Sequence, residues 1–225
     1  MNATDGGGVL SVVLADDEAM MRAGIRAILS SVPGIEVVGE AGDGAAAVAL
    51  VAEHRPDIAL LDVQMPGTDG LAATEAIAAE YPGTAVVILT TFSEDAYIAR
   101  ALSGGADGFV LKSGDPRQLV DGLRAVADGG AYLSPEVARR VIDELDASGG
   151  RLSRASQARK RVGRLTERER EVLALVGEGC PNDEIARRLA IASGTVKVHV
   201  GSILTRLDVR NRVQAAILAY EAGLV

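Results

Sequence analysis

The sequence predicts two units, an α/β unit built on a five-stranded parallel sheet and, after it, a purely α-helical unit. Three observations carry this. Through about residue 130, short runs rich in Val, Ile and Leu alternate with longer helical patterns, whereas from residue 165 onward no strand candidate appears. Charge divides the same way: residues 1–145 hold 9 Lys+Arg against 22 Asp+Glu, and residues 146–225 hold 14 against 9. An acidic half joined to a basic half suggests a cation-binding or signalling module attached to a nucleic-acid module.

A chain of 225 residues has room for two ordinary domains, each with its own core. Its 48% apolar content argues for globular rather than disordered protein. No apolar stretch approaches the roughly eighteen residues of a membrane span, and "MNATDGGGVL" lacks the basic start and apolar core of a signal peptide. The single cysteine, Cys180, has no partner for an internal disulfide and reads as a small buried side chain, so a cytoplasmic setting is expected.

The five strands are "VLSVVLA" (9–15), "IEVVGEA" (35–41), "PDIALLDV" (56–63), "TAVVILTT" (84–91) and "DGFVLK" (107–112). Their hydrophobicity is nearly continuous, as in strands buried on both faces. Helical patterns separate them, "EAMMRAGIRAILSS", "GAAAVALVAEHR", "GLAATEAIAAEY" and "SEDAYIARALSGG", and "PRQLVDGLRAVADGG" follows the last. Strict alternation with short connections implies a parallel sheet covered by helices on both faces. This first domain spans 9–130. Residues 131–163 form a connection: a helix over 134–146 with Ser134 as N-cap and Pro135 first in the helix, then a polar, basic linker, "ASGGRLSRASQARKRVGR". The helical domain occupies 164–225.

In such sheets functional groups collect at the carboxyl ends of the strands. Strand one ends at Asp16–Asp17, strand three at Asp62, strand four at Thr90–Thr91 and strand five at Lys112. Adjacent carboxylates repel, so a rim that collects three of them calls for a cation. Mg²⁺ takes one or two protein carboxylates and fills its remaining positions with water and phosphate oxygen. A carboxylate can attack phosphorus to give an aspartyl phosphate, while a metal, a lysine and a hydroxyl hold the transferring oxygens.

"LADDE", "LLDVQMPGTDG", "ILTTF" and "GADGFVLK" resemble, in order and spacing, the signature segments of a two-component response-regulator receiver domain over about residues 10–128. The resemblance implies a flavodoxin-like sheet of order 2-1-3-4-5. It makes Asp62 the phosphoacceptor. Asp16 and Asp17 are then Mg²⁺ ligands, with a carboxylate oxygen of Asp62 and the backbone carbonyl of Gln64. Thr90 becomes the switch hydroxyl, Lys112 the cation that pairs with the phosphoryl group, and Phe109 the aromatic switch residue. Phenylalanine carries no hydroxyl there, so any switch at this position works through burial of the ring.

In the second half, "LTEREREVLALVGEG" opens with Thr166 and Glu169 at capping-box spacing and closes with Gly179 just past the helix end. "PNDEIARRLAI" and "SGTVKVHVGSILTRL" follow. The latter puts Val196, Val200, Ile203, Leu204 and Leu207 on one face and Lys197, Val198, Gly201, Ser202 and Thr205 on the other, a division suited to a major groove or to a solvated surface. Together with "RVQAAILAYEAGLV", these segments resemble the LuxR-type helix-turn-helix domain over about 161–225, and the whole chain resembles the NarL/FixJ class of response regulators. That resemblance implies a recognition helix over 194–206. Thr195 and Ser202 would bond phosphates, Lys197 a phosphate or a guanine edge, and Val198 a thymine methyl. It also implies a dimer contact from Val213, Ala216, Ile217 and Tyr220. Pro181 and Ala192 stand where the family has hydroxyl caps, with Pro181 expected as a preset first helical residue and Ser193 as a shifted cap.

The function expected is a phosphorylation-dependent DNA-binding transcriptional regulator that receives phosphate from a sensor histidine kinase, uses Mg²⁺, and dimerises on promoter DNA. Two other readings stand beside it. A Mg²⁺-dependent phosphohydrolase with an aspartate nucleophile fits the rim, but Gln64 lies where a general acid would sit and no substrate-cap insertion appears. A receiver acting only through protein contacts would enrich no DNA motif in a random-site selection.

Overall fold

The computed structural model describes residues 9–91, 95–135, 137, 138, 141 and 151–225. Six parallel strands, β1 (Leu10–Ala15), β2 (Ile35–Ala41), β3 (Ile58–Asp62), β4 (Ala85–Thr90), β5 (Gly108–Leu111) and β6 (Tyr132–Leu133), form one sheet of order β2-β1-β3-β4-β5-β6. The first five are those read from the sequence, in the expected order. The sixth is an addition, paired in parallel with β5 through Gly108–Tyr132 and Phe109–Leu133. Two residues are too few to show a period, which is why it escapes sequence reading.

The helices of this unit are α1 (Ala19–Ser30), α2 (Gly44–His54), α3 (Gly70–Glu80), α4 (Asp95–Gly104) and α5 (Pro116–Ala127). Alternate strand residues feed two cores. Val12, Leu14, Ile58, Leu60, Val87, Leu89 and Val110 pack with Ile25 and Leu29 of α1 and Leu119, Leu123 and Val126 of α5. Val13, Ala15, Ala59, Leu61, Val86, Ile88 and Phe109 pack with α2, α3 and α4 through residues such as Val51, Ile77 and Ile98. Because side chains of a strand alternate in direction, this two-sided burial explains the unbroken apolar runs.

The expected connecting helix lies only partly within the described residues. Positions 135, 137, 138 and 141 are helical, and Ser134 starts them with its carbonyl accepting the Ala138 N–H at 2.9 Å. The Ser134 hydroxyl, expected to cap, is buried and has no partner among the described residues.

Residues 151–162, expected as linker, are instead a helix, α6 (Arg151–Val162). Its Ala158 and Val162 join the core of the second unit, with α7 (Glu167–Gly177), α8 (Asn182–Leu189), α9 (Ser193–Leu207) and α10 (Arg212–Ala222). Arginines of α6 also reach helix ends. Arg161 bonds the carbonyls of Leu207 and Asp208 at the C-terminal end of α9, and Arg159 donates to Ala222 O at 3.3 Å. Cations at helix C-termini satisfy carbonyls that have no intrahelical donor and complement the helix dipole.

The Thr166–Glu169 capping box is present, and Gly179 follows α7 with φ +81°. Pro181 is the N-cap of α8 rather than its first residue, and Ala192 is the N-cap of α9 with Ser193 already inside the helix; neither cap makes a side-chain bond. Asp183 and Glu184 in the first turn of α8 supply negative charge where the hydroxyl cap is missing.

Candidate functional site

At the carboxyl edge of the sheet, β1 gives way to Asp16, which is fully buried, and Asp17, which is exposed. Asp16 Oδ1 accepts the Glu18 N–H at 2.9 Å, fixing the turn into α1. Asp62 closes β3 and is 5% exposed. Close approach of α3 shapes this corner: a Cβ on Gly70 would stand 1.8 Å from the Asp62 carbonyl oxygen, so only glycine fits. One oxygen each from Asp16, Asp17 and Asp62 lie within 4.8 Å of one another.

Lys112 follows β5, and its N–H donates to Thr90 O at 2.9 Å, extending the β4–β5 pairing by one bond. That register carries the ammonium inward. Lys112 Nζ lies 2.9 Å from Asp16 Oδ2 and 2.9 Å from Asp62 Oδ2. Thr90 ends β4, with its hydroxyl donating to Thr91 O at 2.9 Å. Asp17, Asp62, Gln64, Thr90 and Lys112 line one cleft of about 170 Å³.

Burial works against the Lys112 charge, but the hydrogen bonds and charges of Asp16 and Asp62 outweigh it and hold the ammonium above its ordinary pKa. Burial raises the Asp62 carboxyl, with Lys112 pulling in the opposite direction. The donor set is carboxylate oxygen without nitrogen or sulfur, and one ammonium does not neutralise three acids. Such a set fits a hard divalent cation.

The structure thus brings Asp16, Asp17, Asp62, Thr90 and Lys112 together, with Gln64 on the rim. Phe109 is placed differently: at 1% exposure it lies within the core between the sheet and α2–α4, away from the cleft wall. Tyr97 was not anticipated. It extends from α4 to the cleft, where its hydroxyl is 3.5 Å from Gln64 Nε2. Its signal in the sequence was an aromatic residue in the first turn of the helix that follows the Thr90 strand.

In the helical unit, α9 buries Val196, Ile203 and Leu207 and exposes Thr195, Lys197, Gly201 and Thr205, with Val198 at 71% exposure. Ser202 departs from expectation. Its hydroxyl donates to Glu169 Oε1 at 2.7 Å, so its proton is engaged within the domain rather than free for a DNA phosphate. Glu169 also accepts from Thr166 N at 2.8 Å and pairs with Arg206 at 3.2 Å, and these bonds hold its pKa down at about 2. Of the expected dimer residues, Tyr220 is exposed and Ala216 packs on the helical core, while Val213 and Ile217 pack into the core of the first unit.

A parallel sheet with an acidic, lysine-bridged cleft, joined to a helix-turn-helix with an open face, defines a phosphoacceptor receiver carrying a DNA-binding domain. Residues 12–124 match the response regulator receiver domain, and residues 163–219 match the luxR family of bacterial regulatory proteins. The transcriptional regulatory protein LiaR of Bacillus subtilis is 38% identical over 96% of this chain and 100% of its own. The response regulator protein VraR of Staphylococcus aureus is 37% identical over 96% of this chain and 99% of its own. Among solved structures, the response regulator ChrA of a heme-sensing two-component system is 35% identical with a TM-score of 0.54, covering 97% of this chain and 100% of that one. RcsB bound to DNA is 26% identical with a TM-score of 0.56, over 94% and 98%.

The chain belongs to the LuxR-type response regulators, and it is a phosphorylation-dependent, DNA-binding transcriptional regulator of a two-component system. Its receiver implies a histidine kinase as partner, and its LuxR-type domain binds DNA. No helix among the described residues is long and apolar enough to cross a membrane.

Proposed function

We propose that Asp62 is the phosphoacceptor and that Asp16, Asp17, a carboxylate oxygen of Asp62 and the backbone carbonyl of Gln64 hold Mg²⁺. When bound, the ion offsets negative charge on the transferring group. An Asp62 oxygen attacks phosphorus; as the P–O bond forms, the bond from phosphorus to the kinase histidine nitrogen breaks and its electron pair leaves with the imidazole. The Lys112 ammonium turns part of its attraction from the two carboxylates to the phosphoryl oxygens. The Thr90 hydroxyl gives up Thr91 O and donates to the phosphoryl group instead.

The observation that carries this reading is the Lys112 ammonium at 2.9 Å from both Asp16 and Asp62. Attack by Asp62 on a small acyl phosphate gives the same acyl-phosphate product, so uptake of labelled phosphate compares Asp62→Ala directly with the parent. Uptake by the parent alone is expected. Equal uptake by both would remove the assignment.

On the DNA side, Lys197 and Thr195 contact phosphate or base edges and Val198 meets a thymine methyl, supported by their exposure on one face of α9. Ser202 holds the helix through Glu169 instead. The dimer forms through α10, with Val213, Ala216, Ile217 and Tyr220 as its contact residues, in a cytoplasmic regulator that acts on promoter DNA.

A further inference from the structure

We propose that Arg22 is a positioning residue for the metal-binding turn: its guanidinium, backed by Glu40, holds the Asp16 carbonyl and thereby sets the peptide that aims the Asp17 carboxylate at the cleft. This rests on the reading of Asp16, Asp17 and Asp62 as Mg²⁺ ligands.

The turn between β1 and α1 has three successive peptide planes, and each has an anchor. The Ala15–Asp16 plane is held by β2, where the Asp16 N–H donates to Ala41 O at 3.1 Å. The Asp17–Glu18 plane is held by the Glu18 N–H, which donates to Asp16 Oδ1 at 2.9 Å. Between them, the Asp16–Asp17 plane presents its carbonyl, which accepts from Arg22 Nη1. Because a peptide is planar, a bond to the Asp16 oxygen also orients the Asp17 nitrogen and Cα. Both planes that flank Asp17 are therefore fixed. Its carboxylate, by contrast, is exposed and has no hydrogen bond or ion pair among the described residues, so its direction follows from the backbone that carries it.

Arg22 occupies a costly place. It lies near the start of α1, where a cation opposes the helix dipole, and α1 has neither an acidic residue in its first turn nor a side-chain bond at its N-cap, Glu18. The compensation comes from β2. Glu40 Oε2 is 3.7 Å from Arg22 Nε, and Glu40 Oε1 is 3.3 Å from Nε of Arg26, one turn further along α1. Nε of Arg22 thus faces Glu40 while Nη1 faces Asp16 O, so one planar guanidinium bridges β2 to the turn. Positioning and plain electrostatics then differ in sign. A cation near three carboxylates repels Mg²⁺, so loss of its charge alone would tighten the site. Loss of a group that orients a metal ligand from behind loosens it, typically by about 10–100-fold.

The test is Mg²⁺ titration of the full chain by calorimetry, with circular dichroism melts in metal-free buffer establishing that each variant is folded. Arg22→Met keeps an aliphatic stem and loses the guanidinium; it is expected to bind Mg²⁺ about tenfold more weakly than the parent. Arg22→Lys keeps the charge and a donor and should recover most of that loss. In an Asp17→Asn background, Arg22→Met should cost less than about twofold, since the ligand it places is already gone. Binding by Arg22→Met as tight as the parent's, or tighter, overturns the inference, and so does an undiminished loss in the Asp17→Asn background. Should Arg22→Met not fold, Glu40→Gln releases the guanidinium from behind and carries the same pair of outcomes: weaker binding in the parent, with no further loss beside Asp17→Asn, or the same loss in both. If the parent takes up no Mg²⁺, or Asp17→Asn binds it as well as the parent does, the metal reading falls, and this inference with it.

Discussion

Lys112 holds its ammonium 2.9 Å from an oxygen of Asp16 and 2.9 Å from an oxygen of Asp62, with all three side chains at 7% exposure or less. A buried carboxylate without a counter-charge is costly, so this one cation offsets two acids inside the sheet edge. With Asp17 alongside, the cleft holds more carboxylates than ammonium groups, a composition that fits a divalent ion.

Replacement of Lys112 by Ala is therefore expected to destabilise the receiver by about 3–5 kcal/mol, the usual cost of removing one partner of a buried pair. At roughly 2–4 °C per kcal/mol, its melting transition should fall markedly in metal-free buffer. Millimolar Mg²⁺ should then raise the transition of Lys112→Ala by more than that of the parent, because the ion takes over the neutralising role. An equal Mg²⁺ shift in both would mean that the ion and the ammonium do not share the carboxylates.

How much of this was legible follows from what a one-dimensional pattern records. Asp16, Asp62, Thr90 and Lys112 were readable because each is the first polar residue after an apolar run, with Asp17 directly after Asp16, and parallel strands align those ends. Tyr97 was not, since its reach into the cleft depends on how α4 lies on the sheet. Ser202 looked like an outward polar residue because the capping role of Glu169 concerns one oxygen; the other bonds Ser202 from 33 residues away. Val213 and Ile217 form an apolar stripe, and a stripe announces that something covers it without saying whether that is a second copy or the chain's own receiver.

The helix at 151–162 shows a different limit. Its apolar positions are small and few, and its arginines resemble a solvated linker until the helix ends they reach are known. Arg161→Ala should lower the stability of the helical unit by about 1 kcal/mol, since charge-assisted bonds to helix-end carbonyls are lost from a partly exposed site. Urea unfolding followed by circular dichroism would register it. A variant as stable as the parent would return this segment to the status of a linker.

Asp107 sits where β5 begins, with Oδ2 accepting the Val86 N–H at 3.0 Å and burial raising its pKa from 3.8 to about 6. A raised acid favours the folded state below its unfolded value, and that contribution disappears as pH climbs through about 6. Asp107→Asn keeps an acceptor for Val86 but cannot ionise. The variant is expected to be more stable than the parent by about 1–3 kcal/mol at pH 8, and nearly equal to it below about pH 4. Thermal melts at the two pH values decide this; a gain of the same size at both would show that ionisation of Asp107 is not the cause.

Glu169 carries the opposite sign. Chiefly through the Ser202 hydroxyl, and also through Thr166 and Arg206, its pKa drops from 4.5 to about 2. A depressed acid contributes stability that is fully present above about 4.5 and fades as pH falls toward about 2. Glu169→Gln retains one acceptor for Ser202 but loses the ion pair with Arg206 and an oxygen for the Thr166 N–H. At pH 7 the variant should be less stable by about 1–2 kcal/mol, a figure reduced for the solvent that reaches Arg206. The gap should close as the parent is acidified through that window. Because the same carboxylate ties α7 to the middle of α9, DNA affinity at pH 7 should also fall several-fold in Glu169→Gln, with little change in the salt dependence, since no phosphate contact is removed. Urea titrations from pH 7 downward, paired with binding to a selected duplex at two salt concentrations, measure both effects. A stability gap that stays constant with pH would show that the charge on Glu169 holds nothing in place, and a reduced salt slope would place Glu169 in contact with DNA counter-charges instead of behind the recognition helix.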